Sequence, residues 1–314
     1  MKQRILSLSN LKISIGNTTF KNPIWVASGL FGYGTEAPDL IDVNTLGAIV
    51  TKSITRQPRE GNPPPRIVET PSGMINSIGL ANIGVEKYIK EMLPVYKDFS
   101  TKIIMNIAGT DIDEYVEILE LMEKISTNIA GYEINISCPN VKKGGMEFGV
   151  DSEMTAKLTE ELRKRTDRLI IMKLSPNVSD IVSIGKAAEN AGADAVSAIN
   201  TVVGMSINAK TAKSNIFTTY GGLSGPAIKP VGLAAVNKLY NKLSIPIIGM
   251  GGIISSTDVA EYILAGSTAV QVGTANFRNP GTGENIIDLI SSYIKESNWK
   301  SSVEMIGKVQ TYNK

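Results

Sequence analysis

The chain has 314 residues, 42% hydrophobic and 20% charged, with 32 Lys and Arg against 30 Asp and Glu for a formal charge of +2. That balance points to neither nucleic acid nor an anionic membrane as a partner, and the apolar fraction is enough for a sizeable core. A single cysteine, Cys138, excludes an internal disulfide, and the absence of histidine removes the usual neutral-pH proton carrier.

The first nine residues lack the long apolar core and cleavage site of a signal peptide. No uncharged apolar run reaches the ~18 residues that span a bilayer, so a soluble, cytoplasmic protein is expected. A hairpin is expected next, from 11–15, a Gly16-Asn17 turn and 18–20. Eight short apolar runs follow, at 24–28, 48–53, 103–107, 132–137, 169–173, 195–199, 246–250 and 269–272. Most precede a helical pattern, as at 113–124, 152–164, 178–190, 230–243, 257–265 and 284–297. Strand–helix alternation implies parallel strands with right-handed crossovers. Eight such units predict an α/β fold, a (β/α)8 barrel, in preference to an open doubly wound sheet. With no linker or low-complexity tract, residues 1–314 read as a single domain. Long inserts at 55–102 and 201–244 are expected over the carboxyl face of the barrel.

Barrel enzymes carry their chemistry at the carboxyl ends of the strands, with phosphate held after strands seven and eight. The residues at those ends are Ser28, Lys52-Ser53, Asn106, Asn135 with Cys138, Lys173, Asn200-Thr201, Gly251-Gly252 and Gly273-Thr274. The two glycine pairs, with Gly221 to Gly225 upstream, suit backbone N–H groups closing on a phosphate; the alternative is that they only make tight turns. Gly32-Tyr33-Gly34 imitates a dinucleotide fingerprint but lacks the acidic residue about twenty positions on, and reads as a loop. Lys52 and Lys173 end otherwise apolar strands and are expected to hold an anion, snorkelling to solvent being the alternative. With Asn76, Asn106, Asn135, Asn140 and Asn200 they suit a planar heterocycle carrying a carboxylate. No residue cluster has metal-ligand character.

In the fourth run the period of two sets Ile134 and Ile136 on one face and Glu133 and Asn135 on the other, toward the barrel interior. Glu133 is therefore expected to be buried and paired with Lys52 or Lys173, because an unpaired buried carboxylate is costly. A solvent-exposed start of the strand is the alternative. Cys138, followed by Pro139 and Asn140, reads either as a catalytic thiol or as a buried small hydrophobe. The glycine-bearing loop 141–149 is expected to gate the pocket.

Five motifs carry a family resemblance. They are Asn22-Pro23 through Gly29, Gly61-Asn62-Pro63-Pro64-Pro65-Arg66, Asn76-Ser77-Ile78-Gly79-Leu80, Asn135-Ile136-Ser137-Cys138-Pro139-Asn140 and Gly249-Met250-Gly251-Gly252. Over about residues 11–277 the chain resembles the class 1 dihydroorotate dehydrogenases, flavin enzymes of pyrimidine biosynthesis. Residues 141–149 are similar to the catalytic subunit of the NAD-dependent (B) branch. The resemblance implies oxidation of (S)-dihydroorotate to orotate, with Cys138 removing the proton from carbon 5 while hydride leaves carbon 6 for FMN. It implies FMN phosphate on Gly225, Gly251, Gly252, Gly273 and Thr274, with Ser28, Lys52, Ser53, Asn106, Asn135, Lys173 and Ile199 lining the rest of the cofactor. Orotate would be held by Lys52, Asn76, Ser77, Ile78, Gly79, Leu80, Asn135, Asn140, Asn200 and Thr201. Electrons would pass to NAD⁺ through a partner subunit carrying FAD and a [2Fe–2S] cluster, in a tetramer built on a homodimer of this chain. The competing readings are the fumarate-using branch, a dihydropyrimidine dehydrogenase-like enzyme and a non-redox phosphate-binding barrel.

Overall fold

The computed structural model describes residues 9–36, 40–136, 148–310 and 312. Strands β1 (Ile13–Ile15) and β2 (Thr18–Phe20) form the expected hairpin, with Ile13 opposite Phe20 and Ile15 opposite Thr18. Eight parallel strands follow: β3 (Ile24–Val26), β4 (Ala48–Val50), then, after the first insert, β7 (Lys102–Ile107), β8 (Gly131–Asn135), β9 (Leu169–Lys173) and β10 (Ala195–Ala198), and after the second insert β15 (Ile247–Met250) and β16 (Ala269–Val272). They close into a barrel in the order β10-β15-β16-β3-β4-β7-β8-β9, so the expected (β/α)8 architecture is present. Several strands are shorter than their apolar runs: β3 stops at Val26 and β4 at Val50, where the backbone leaves the ladder to form the rim.

Several helices that follow their amphipathic patterns start at a side-chain cap, whereas Lys229–Tyr240 and Thr282–Glu296 have none. Asp111, Asp151 and Asp180 each accept a backbone N–H in the first turn of the helices Ile112–Glu123, Ser152–Arg163 and Ile181–Asn190. That cap moves the third helix start from the expected residue 178 to 181. Ser255 and Asp258 form a reciprocal capping box at the helix Ser256–Ala265. The alternation fails once: between β3 and β4 the described residues form turns and a short 3₁₀ segment, Val43–Thr45, rather than a helix.

Inside the barrel the two-residue period sorts side chains into layers. Trp25, Ala48, Ile104, Ile171, Ala195, Ile248 and Ala269 form an apolar lower layer with Ile13, Ile15 and Phe20 of the hairpin. The Phe20 and Trp25 ring centroids lie 4.5 Å apart. The hairpin thus plugs the amino end. One layer higher the interior turns polar, with Asn106, Glu133, Ser197 and Gln271 all buried. Ile134 and Ile136 face outward into the larger cluster between strands and helices, as the alternation requires.

The two inserts do lie together, and in a form their sequences do not announce. β5 (Ile67–Thr70) and β6 (Gly73–Asn76) from the first join β11 (Val202–Met205) and β14 (Tyr220–Ser224) from the second in one antiparallel sheet, ordered β11-β14-β6-β5. The second insert adds a small ribbon of β12 (Ile207–Asn208) and β13 (Lys213–Ser214). A helix at Val85–Glu91, also unanticipated, completes the first insert.

Candidate active site

A cavity of about 390 Å³ opens at the carboxyl end of the barrel, beneath the insert sheet, within the size range of small-molecule sites. Of the residues singled out from sequence, Ser28, Lys52, Asn76, Ile78, Lys173, Ile199, Asn200, Thr201, Gly225, Gly251, Gly252, Gly273 and Thr274 line it. Ile67 and Met74 of the insert sheet supply an apolar wall, and Ile228, Ile253 and Phe277 line the glycine side.

The floor is a buried polar network centred on Glu133, which is fully buried. Oε1 of Glu133 accepts from Asn106 Nδ2 at 2.7 Å and from Lys173 Nζ at 3.4 Å. Oε2 accepts from Ser197 Oγ at 2.9 Å and from Gln271 Nε2. The expected pairing of Glu133 with a barrel lysine is therefore present, and the lysine is Lys173. Three further donors come from three other strands, which satisfies the lone pairs of a buried carboxylate. The amide oxygens of Asn106 and Gln271 are buried with no hydrogen-bond partner among the described residues.

Lys52, at the end of β4, points its ammonium past Gly29, where a β-carbon would lie 3.8 Å from Nζ. Burial lowers its pKa from the ordinary 10.5, and the neighbouring charge of Lys173 lowers it further. Among the described residues its ammonium has no carboxylate partner. Two lysines and one carboxylate leave the cavity floor cationic, which favours an anionic ligand.

The glycine side is a second subsite. Gly252 has φ +71°, and a β-carbon there would meet Gly225 O at 2.9 Å and Lys229 Cβ at 2.8 Å. Glycine is thus required by the turn itself as well as by any ligand above it. The backbone N–H groups of Gly252, Gly273 and Thr274 have no protein acceptor among the described residues. Thr274 Oγ1 donates to, or accepts from, Ser224 Oγ at 2.7 Å. Lys229, whose Cβ adjoins Gly252, is committed to Asp258 at 2.6 Å and Glu261 at 2.8 Å. The donors this subsite offers are backbone N–H groups and hydroxyls.

Other predicted residues stand behind the cavity wall. Ser53 is buried beside Lys52, and Asn106 lies in the floor network. Asn135 accepts from Asn200 Nδ2 at 3.3 Å, while its carbonyl accepts from the Tyr115 hydroxyl at 2.7 Å. Ser77 and Gly79 pack against the loop 61–66: Asn62 Nδ2 donates to Ser77 Oγ at 2.8 Å, and Asn62 N donates to Ile78 O, while the Leu80 carbonyl accepts from Asn82 Nδ2 at 2.8 Å. They hold Asn76 and Ile78 in the wall. Cys138 and Asn140 lie outside the described residues, as does the loop 141–149 up to Phe148. Gly32 to Glu36 forms turns, in keeping with a loop rather than a dinucleotide fold. Gln271 is a cavity residue that sequence reasoning missed, as it did the apolar wall; its signal was a lone amide in the apolar run Val270-Gln271-Val272. Among the described residues no group of acidic or sulfur side chains could hold a metal, and no helix is long and apolar enough to cross a membrane.

A closed parallel barrel with a cationic, amide-rich pocket at its carboxyl end and a glycine cradle after strands seven and eight is the architecture of an α/β-barrel enzyme. Residues 10–294 match the family model described as dihydroorotate dehydrogenase, and the chain belongs to that family. It is 49% identical over 298 residues to the dihydroorotate dehydrogenase B (NAD(+)) catalytic subunit of Desulforamulus reducens, covering 95% of this chain and 98% of that protein. The proteins of the same name from Porphyromonas gingivalis and Bacteroides thetaiotaomicron are 46% and 43% identical, over 95% and 96% of this chain and 97% and 100% of theirs.

Proposed function

We propose that this chain oxidises (S)-dihydroorotate to orotate as the FMN-bearing catalytic subunit of an NAD⁺-dependent dihydroorotate dehydrogenase of pyrimidine biosynthesis. The observation that carries the reading is the paired character of the cavity. Its floor offers a cation and an unpartnered amide oxygen, and its far side offers unpartnered backbone N–H groups on glycines. That pattern fits the pyrimidine edge of an isoalloxazine at one end and a phosphate at the other. Gly225, Gly251, Gly252, Gly273 and Thr274 would hold the phosphate, and Ser28, Lys52, Ser53, Asn106, Asn135, Lys173 and Ile199 the remainder. When bound, FMN supplies the acceptor for the hydride that leaves carbon 6 of dihydroorotate.

The protein's own residues do the rest. Lys52 provides a desolvated cation for the substrate carboxylate, where its attraction is little weakened by solvent. Asn76, Asn135, Asn200 and Thr201 orient the ring, with Asn140 completing the set, and Ser77, Ile78, Gly79 and Leu80 shape the loop that carries Asn76. Cys138 takes the proton from carbon 5 as thiolate and is left as thiol. An unperturbed thiol titrates at about 8.5, and a neighbouring lysine or amide donor can lower such a value. A partner subunit carrying FAD and a [2Fe–2S] cluster would take the electrons onward, in a tetramer built on a homodimer of this chain.

The test is direct. The purified chain should be yellow with one FMN per chain, and anaerobic dihydroorotate should bleach it whereas dihydrouracil should not. A colourless protein would return the reading to a non-redox barrel. Equal bleaching by dihydrouracil would move it to the dihydropyrimidine dehydrogenase-like enzymes.

A further inference from the structure

The carboxylate of Glu133 touches four side chains that project from four other strands: Asn106 of β7, Lys173 of β9, Ser197 of β10 and Gln271 of β16. An ionised carboxylate only accepts hydrogen bonds, so an amide facing it must present its NH₂ group. Asn106 and Gln271 both do so, and both amide oxygens are thereby turned away and left unpartnered. Gln271 and Lys173 line the cavity, whereas Glu133 and Ser197 lie wholly beneath it.

We infer that Glu133 is a positioning residue that sets the hydrogen-bond polarity of the cofactor site. By accepting from Gln271 and Lys173 it holds the amide of a cavity-lining residue with its buried oxygen turned from the carboxylate, beside an immobilised cation. A ligand edge that fits this floor carries an N–H donor next to an electron-rich oxygen or nitrogen. The pyrimidine portion of a flavin has that order of groups, so the inference rests on the function proposed above. Glu133→Gln would replace two acceptor oxygens by one acceptor and one donor. Gln271 could then turn its NH₂ group into the cavity, and Lys173 would lose its carboxylate.

The test uses the full chain stripped of FMN and reloaded, with affinity followed by quenching of flavin fluorescence and the midpoint potential of the bound flavin as a second readout. Four proteins are compared: wild type, Glu133→Gln, Lys173→Met and the double variant. Glu133→Gln is expected to weaken FMN binding by about tenfold or more, the usual scale for a hydrogen bond to a charged group, and to shift the potential. In the Lys173→Met background the same change should have a much smaller effect on both, because Glu133 acts in part through Lys173. Ser197→Ala, which touches the carboxylate but not the cavity, should give a milder loss of the same kind and keeps the test available if Glu133→Gln does not fold. Full additivity of Glu133→Gln and Lys173→Met, or an unchanged potential and affinity in Glu133→Gln and Ser197→Ala, would overturn the inference alone. A wild-type chain that binds no FMN would overturn it together with the proposed function.

Discussion

Gly73 and Ser224 meet where the two inserts join: a β-carbon on Gly73 would lie 1.9 Å from the carbonyl oxygen of Ser224. The neighbouring pair Met74 and Ser224 is in register across β6 and β14, so this contact sets how closely the roof sheet is knit over the cavity. Backbone oxygen cannot swing aside as a side chain can. Gly73→Ala is therefore expected to destabilise the protein by about 1–3 kcal/mol, the usual scale of overpacking, and to displace Met74 and Asn76 from the cavity wall. The check is a lowered Tm together with a raised KM for dihydroorotate. Wild-type values of both would show that the sheet accommodates the methyl group without moving the wall.

Lys52 is expected to cost stability and to confer binding. Its pKa in the folded chain lies below its ordinary 10.5, through burial first and Lys173 second. Between the lowered value and 10.5 the unfolded chain holds more protons, so this residue's contribution to stability rises with pH across that window. Below the lowered value the full penalty of a buried charge stands. Lys52→Met should accordingly raise the Tm of the ligand-free protein at neutral pH while weakening orotate by tenfold or more, about the worth of one charge-assisted hydrogen bond. In the wild type, orotate affinity should begin to fall with rising pH before 10.5 is reached. Calorimetric titration of orotate across alkaline pH checks this, and an affinity unchanged in Lys52→Met would remove the lysine from the anion site.

Much of this site was legible because barrel chemistry sits at strand ends, and strand ends are marked by a change from apolar runs to polar or glycine residues. Lys52, Lys173, Gly251 and Gly273 all stand at such breaks, and the structure brings them to one cavity. The inward face of β8 followed from alternation alone, which is why Glu133 could be paired with a lysine before any contact was known. The roof was not legible. β6 and β14 are about 150 residues apart in the chain, their pairing is long-range, and Gly221-Gly222 carries no apolar alternation to announce a strand. Gln271 escaped for a different reason. Its strand is apolar on every other criterion, and only the presence of a carboxylate on a strand across the barrel explains an amide there.

Cys138 should be indispensable for turnover and dispensable for FMN. The chain has no histidine to replace it, and among the described residues no carboxylate lines the cavity. A general base is worth roughly 10² to 10⁴ in rate. Cys138→Ala is expected to lose kcat by at least that factor with FMN content unchanged, and Cys138→Ser should retain a little activity displaced to high pH. Stopped-flow reduction of the bound flavin by dihydroorotate isolates the step, and a wild-type rate in Cys138→Ala would transfer the role to another group.

The lone chain is expected to stall after a single turnover with NAD⁺ as oxidant. Reduction of the cofactor by one dihydroorotate must be undone before a second can react, and the sequence carries no dinucleotide fingerprint. One cysteine cannot ligate an iron–sulfur cluster. The Gly32-Tyr33-Gly34 segment lies in turns and is not followed by the acidic residue a ribose would need. A rapid-mixing experiment with dihydroorotate and NAD⁺ should show one equivalent of orotate per FMN and almost no NADH. Adding a partner subunit that carries FAD and a [2Fe–2S] cluster should restore continuous NADH formation. Full NADH production by the isolated chain would refute the need for a partner, and rapid turnover with fumarate alone would place the protein in the fumarate-using branch.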